Sequence, residues 1–179
     1  QEIVLVAQDT TFYGRDRGEQ GALVRLLRGI LAAAPNVPWL RLMYAYPGHL
    51  DGDLLALMAS EPRLLSYVDL PLQHAHPDVL RRMRRPAGDP RRLVDRIREM
   101  VPDVAIRSTF IVGYPGETEA EFAALLHFLE EAQLDKVGAF VYSREEGTPA
   151  AELPGQVPAE VATRRLDEVM RLQQEISLA

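Results

Sequence analysis

Apolar positions along this chain fall into two alternating kinds of run. Five are short, nearly continuous and rich in β-branched or aromatic residues, at residues 3–7, 39–44, 67–70, 105–112 and 137–142, and they predict strands. Between them the apolar spacing changes to three and four. Leu23, Leu26, Leu27, Ile30 and Leu31 form the first amphipathic stripe. A shorter helix is expected around Leu54, Leu57 and Met58, introduced by Asp51 and stopped before Pro62. The third gap holds a short turn near residues 79–83 and then a helix over 90–101. There Asp89 can cap, Pro90 suits the first helical position, and Leu93, Val94, Ile97 and Val101 supply the stripe. Phe122, Leu125, Leu126, Leu129 and Ala132 mark a fourth helix. The last runs over about 158–177, with Val161, Leu166, Val169, Met170 and Gln173 on one face.

Strands alternating with helices through right-handed crossovers build a parallel α/β sheet. Five strands are fewer than the ~8 of a closed barrel. The fold is therefore a doubly wound open sheet or an arc of a barrel lacking one or more units. In either, the strand C-termini share the edge where ligands bind. Polar residues collect after each strand: Gln8 and Asp9, then Tyr46 and His49, then Gln73 and His74, then a turn at 113–117, then Ser143 and Arg144.

The stretch 107–121 is the richest of these. Thr109, Phe110, Ile111 and Val112 read as a strand buried on both faces, and Gly113, Pro115 and Gly116 force a sharp turn. Thr118 with Glu121 has the spacing of a capping box that opens a helix. Such a strand, turn and capped helix is expected to leave backbone N–H groups facing an anionic or polar ligand. Many α/β proteins also use such a turn only to pack helix on strand.

Composition narrows the field. The chain has 179 residues, 47% of them apolar, enough for one domain with an ample core. No run is long and apolar enough to span a membrane, and no secretory leader is evident. A net charge of -6 argues against this stretch alone gripping nucleic acid. Cysteine is absent, which excludes disulfides and thiolate metal sites within these residues. A cytoplasmic domain is the simplest reading. A chain that opens on a strand-like run and closes on a helical one is expected to be cut from a longer polypeptide.

Individual motifs admit two readings. His74 and His76 with Asp69 could ligate a metal at a barrel mouth, making a metal-dependent hydrolase or aldolase. Pro71 and Pro77 argue against a strand that would align the two histidines, so hydrogen bonding by His74 is favoured and no metal ligand is assigned. Asp9 with Thr10 and Thr11 fits an Asx-type turn as well as a ligand contact. Glu117 fits either a ligand contact or a favourable charge at a helix start. Eight arginines between Arg81 and Arg98 read as a solvated face or as a docking patch for an acidic or RNA-bearing partner. No phosphate loop, Ser-His-Asp order or paired-carboxylate spacing points to a kinase or hydrolase.

Taken together, residues 6–14 (VAQDTTFYG), 41–47 (RLMYAYP), 69–75 (DLPLQHA), 109–118 (TFIVGYPGET), 142–150 (YSREEGTPA) and 172–177 (LQQEIS) resemble the radical S-adenosylmethionine methylthiotransferases. The first three look like the ribosomal-protein branch, the RimO type, rather than the transfer-RNA branch, the MiaB type. The resemblance implies a partial (β/α)6 TIM-like barrel that lacks its first strand–helix unit. That unit carries a three-cysteine loop for a [4Fe–4S] cluster and is expected upstream of Gln1. Residues 1–179 would be the radical core, without the family's N-terminal methylthiotransferase domain and C-terminal TRAM domain. The implied reaction is methylthiolation at the β-carbon of an aspartate in the twelfth protein of the small ribosomal subunit. S-adenosylmethionine and [4Fe–4S] clusters are the implied cofactors, and flavodoxin or ferredoxin the implied reductant. By position, Gln8, Asp9, Gln73, His74, Thr109, Gly113, Pro115, Gly116, Glu117, Ser143 and Arg144 are assigned to the cofactor or the mouth around it. The isolated fragment is expected to be inactive.

Overall fold

A computed structural model describes residues 1–85 and 88–178. Strands and helices alternate as expected: β1 (Glu2–Leu5), α1 (Ala22–Ala33), β2 (Trp39–Leu42), α2 (Gly52–Ser60), β3 (Tyr67–Asp69), α3 (Pro77–Arg82), α4 (Pro90–Met100), β4 (Ala105–Val112), α5 (Glu119–Ala132), β5 (Lys136–Val141) and α6 (Ala159–Leu178). The chain divides into two compact units, Gln1–Pro71 with Leu93–Arg107, and Leu72–Arg92 with Ser108–Ala179. The division falls within α4 and β4.

In the first unit β1 and β2 run parallel, with Glu2 opposite Trp39 and Leu5 opposite Leu42. A parallel bridge joins Leu40 to Leu64. β3 lies parallel to the start of β4, Tyr67 opposite Ala105 and Asp69 opposite Arg107. Leu27, Leu40, Leu54, Leu55, Leu64, Leu70, Ile97 and Ile106 are the largest of its fully buried side chains. Asp51 caps α2 by accepting from Leu54 N–H at 2.9 Å, as its place before the helix predicts.

In the second unit Gln73 is bridged to Phe110 on β4, and β5 joins β4 from the other side. Helix α6 packs against β5 and α5 against α6. Phe110, Leu125, Leu129 and Leu134 are fully buried, with the Phe110 and Phe128 rings 6.2 Å apart. The capping box of α5 forms as its spacing predicts, each of Thr118 and Glu121 bonding the other's backbone.

Four expectations change. β4 is not buried on both faces: Ile106, Ser108, Phe110 and Val112 are buried, while Arg107, Thr109 and Ile111 remain half-open. β2 stops at Leu42 rather than Tyr44, because Tyr44 turns into the left-handed region at φ 56°. The turn near 79–83 is a helix, α3, which starts at Pro77 and is capped by His76 Nδ1 accepting from Asp78 N–H at 3.2 Å. Finally, α6 buries Ala162, Arg165, Val169 and Gln173, whereas Met170 is 42% exposed. Of the predicted face, Val169 and Gln173 are buried and Val161 and Leu166 half-buried; only Met170 turns out to solvent, and Ala162 and the charged Arg165 complete the buried side.

Candidate functional site

In the first unit the segments after β1 and β2 are tied together through polar side chains. Asp9 accepts from the Thr11 hydroxyl and lies 2.8 Å from His49 Nδ1. Thr11 Oγ1 in turn accepts from Tyr46 N–H at 3.0 Å, and the Thr10 hydroxyl donates to Met43 O at 2.7 Å. Asp9 is therefore more than a local turn residue, because its second oxygen orients an imidazole forty residues away. Gln8 is exposed. Asp69 is fully buried: Arg107 Nη1 donates to Oδ1 at 2.7 Å, and Tyr44 N–H to Oδ2 at 3.3 Å. A groove of about 440 Å³ runs beside Asp9, lined mainly by Leu5, Val6, Phe12, Leu23 and Leu42.

In the second unit the chain after β3 continues along β4. Pro71 has no N–H to give. Leu72 N–H donates to the buried Ser108 hydroxyl at 3.2 Å, and Gln73 N–H to Thr109 O at 2.8 Å. Gln73 sits at φ 70°, a left-handed conformation for a residue with a side chain. His74 is completely buried. Its Nδ1 accepts from His76 N–H at 2.9 Å, which assigns the proton to Nε2. That Nε2–H is a buried donor with no partner, as is the buried hydroxyl of Tyr142 at the end of β5. Tyr142 stacks edge-on to Tyr114 at 5.2 Å and received no assignment from sequence.

Burial, foremost, pushes the His74 pKa from the usual 6.5 down to about 3, helped by His76, Arg82 and Arg165 and opposed by Glu121. His74 is therefore neutral near pH 7. A histidine whose folded pKa is depressed binds its proton only in the unfolded chain, so stability falls as pH drops below 6.5. The expected loss between pH 7 and pH 5 is about 2 kcal/mol, read from denaturant titrations and absent in His74→Gln. An unchanged slope in that variant would assign the loss to another group.

The glycine turn differs from its expectation. Its N–H groups do not face outward. Gly113 and Tyr114 N–H bond the Glu117 carboxylate, the latter at 3.1 Å. Gly116 N–H donates to Gly155 O at 2.8 Å and Glu117 N–H to Tyr114 O at 2.9 Å. Thr118 N–H donates to Glu121 Oε2 at 2.8 Å. Pro115, buried between them, has none. The turn's donors are thus consumed internally, as are the carbonyl oxygens of Tyr114 and Glu117. Burial raises the Glu117 pKa, with Arg165 and the two N–H groups opposing. Ser143 and Arg144 are exposed and hold their own loop, the first donating to Glu145 Oε1 at 2.6 Å and the second to Ala151 O at 3.0 Å.

The donors of the alternative metal set, Asp69, His74 and His76, are largely engaged. Both Asp69 oxygens and His74 Nδ1 are already bonded. Among the described residues the group close enough to share an ion is instead His76, Asp78 and Glu121. There Arg82 occupies both Glu121 oxygens at 2.9 Å.

Residues 1–129 match the model of the Radical SAM superfamily. The chain belongs to that superfamily. This membership, with the engagement of Asp69 and His74, overturns the hydrolase or aldolase reading. The superfamily member is similar to "ribosomal protein uS12 methylthiotransferase RimO" of Chloroflexus aurantiacus, with 59% identity covering 99% of this chain and 39% of that protein. The like-named protein of Roseiflexus castenholzii is 58% identical over 99% of this chain and 37% of its own length. The chain spans about two fifths of the length of these curated relatives. Among solved structures it resembles coproporphyrinogen III oxidase (HemN) of Escherichia coli, a radical SAM enzyme, with TM-score 0.68, 17% identity, and coverage of 88% of this chain and 38% of that one. The methyltransferase TsrM of Kitasatospora setae, solved with cobalamin and a [4Fe-4S] cluster, gives TM-score 0.60 at 20% identity over 80% of this chain and 28% of that one. These two likenesses establish the α/β radical SAM fold. No helix among the described residues is long and apolar enough to cross a membrane.

Proposed function

We propose that this chain is the radical core, from the family's second strand onward, of a methylthiotransferase that modifies the β-carbon of an aspartate in ribosomal protein uS12. The observation that carries the reading is identity above one half across essentially the whole chain to proteins of that name. S-adenosylmethionine and [4Fe–4S] clusters supply the radical chemistry when bound. The residues present fit the first of these. The Nε2–H of His74 and the Tyr142 hydroxyl are buried and unpartnered, and each is a donor that a carboxylate, hydroxyl or ring-nitrogen acceptor of a bound molecule would satisfy. His74, held neutral, is a donor at Nε2 and no competing cation. Gln73, next in the chain, bonds Thr109 O, and both are assigned to the same cofactor. The 113–117 turn, its N–H donors spent internally, suits an amino group on the ligand better than an anion. Gln8 and Asp9 are assigned to the same cofactor, and Ser143 and Arg144 to cofactor or substrate.

No thiolate ligand to a cluster can come from these residues, since the chain holds no cysteine. The cluster loop, the N-terminal domain and the TRAM domain belong to the rest of the enzyme. The enzyme acts in the cytoplasm with a flavodoxin or ferredoxin as reductant, and this segment itself does not bind nucleic acid. The test is the full-length enzyme, loaded with iron and sulfide without oxygen and offered uS12 or modified transfer RNA. Mass spectrometry is expected to find a methylthio increment on one aspartate of uS12. An increment on transfer RNA alone would assign the enzyme to the other branch. The isolated 179-residue chain, treated the same way, is expected to develop no cluster absorption band.

A further inference from the structure

Arg165 is 3% exposed, the one arginine in the buried core among the described residues. A buried guanidinium is costly unless its donors are paired; here both terminal nitrogens find partners in the glycine turn and the start of α5, while Nε is left without one. Nη1 donates to Glu117 O at 3.1 Å and to Glu117 Oε1 at 3.2 Å, and Nη2 to Glu119 Oε1 at 3.0 Å. The guanidinium also lies 5.3 Å from the centre of the Phe122 ring. Glu117 passes the constraint on, because its carboxylate receives the N–H groups of Gly113 and Tyr114. Arg165 thus holds both ends of the turn through one side chain.

The same stretch of chain fastens the turn twice more. Ala162, one helical turn earlier, sits against Gly113, and Gly155 O accepts from Gly116 N–H at 2.8 Å. Packing alone does not require the charge, since buried ion pairs are commonly no more stabilising than apolar side chains of similar volume. What the fork adds is direction. The bonds to Glu117 O, Glu117 Oε1 and Glu119 Oε1 fix the orientation of the turn's last peptide group and of the carboxylate that holds its first two N–H groups.

We infer that Arg165 is a positioning residue for cofactor binding, acting through Glu117 on the 113–117 turn. This rests on the reading of the turn as a wall of the S-adenosylmethionine site. The experiment uses full-length, cluster-loaded enzyme and measures S-adenosylmethionine binding beside thermal stability. In Arg165→Lys, which keeps the charge and loses the fork, the Kd is expected to rise about tenfold, with faster hydrogen exchange at the Tyr114 amide and unchanged protection along α5. The double variant Arg165→Met, Glu117→Gln removes both charges. It is expected to regain most of the melting temperature lost by Arg165→Met alone while keeping the weakened binding. Wild-type affinity in either Arg165→Lys or the double variant overturns the inference and leaves the functional proposal standing. A wild-type enzyme that binds no S-adenosylmethionine overturns both.

Discussion

Gly113→Ala is expected to lower stability by about 2–5 kcal/mol, seen as a fall in the denaturation midpoint. Two costs combine. The residue sits at φ +72°, where any L side chain is strained, and a Cβ there would lie 2.5 Å from Ala162 Cβ and 3.4 Å from Ala162 Cα. The first cost is about 1–2 kcal/mol. The second comes from forcing α6 away from the turn, for about 1–3 kcal/mol more. Gly147 separates them. It has φ +78° and nothing within 4 Å of its virtual Cβ, so Gly147→Ala is expected to show only the conformational cost. Equal losses at the two sites would refute close packing of α6 as the reason for glycine at 113.

Glu121→Ala is expected to cost about 3 kcal/mol in the same assay, because one carboxylate serves three purposes. Its oxygens accept two bonds of 2.9 Å from Arg82, one of 2.8 Å from Thr118 N–H and one of 3.1 Å from the Thr118 hydroxyl. Loss of the capping box accounts for about 1 kcal/mol, and the forked, charge-assisted pair for the remainder. Burial alone would raise the Glu121 pKa, but the Arg82 fork and the Thr118 bonds outweigh it and hold the group at about 2. A carboxylate depressed in this way stabilises the fold fully above its usual 4.5, and the contribution is lost as pH falls through about 2. The His74 loss begins earlier, below pH 6.5. Acid titration of the wild type is therefore expected to show an early decline missing in His74→Gln and a later one missing in Glu121→Ala. Retention of the later decline in Glu121→Ala would assign it elsewhere.

Strand and helix order was legible because the change between continuous and three-to-four spacing is strong in this chain. The capping box at Thr118 and the cap at Asp51 were legible because they are local: partner and acceptor lie three residues apart. What escaped involves distant partners. Arg165 and Glu117 are 48 positions apart, and nothing in the stripe of α6 shows that its buried face includes a charge. The link from Asp9 to His49 spans 40 positions in the same way. The turn misled for a different reason. Glycines and a proline do announce a sharp bend, but they do not show that Glu117, Gly155 and Glu121 absorb its donors. Tyr142 was passed over because its significance lies in a hydroxyl that burial leaves without a partner, and burial cannot be read from one residue's neighbours in sequence.

The chain turns left-handed after β2, β3 and β4, yet only β4 uses a glycine there; Tyr44 and Gln73 hold φ of 56° and 70°. Each costs on the order of 1–3 kcal/mol relative to a relaxed backbone, so glycine at either position would ease local strain. These are the sites a stability screen would select first. They are also where a phenol ring and a carboxamide stand at the ends of strands. A more heat-resistant variant obtained by Tyr44→Gly or Gln73→Gly would be one with those groups removed from the strand ends.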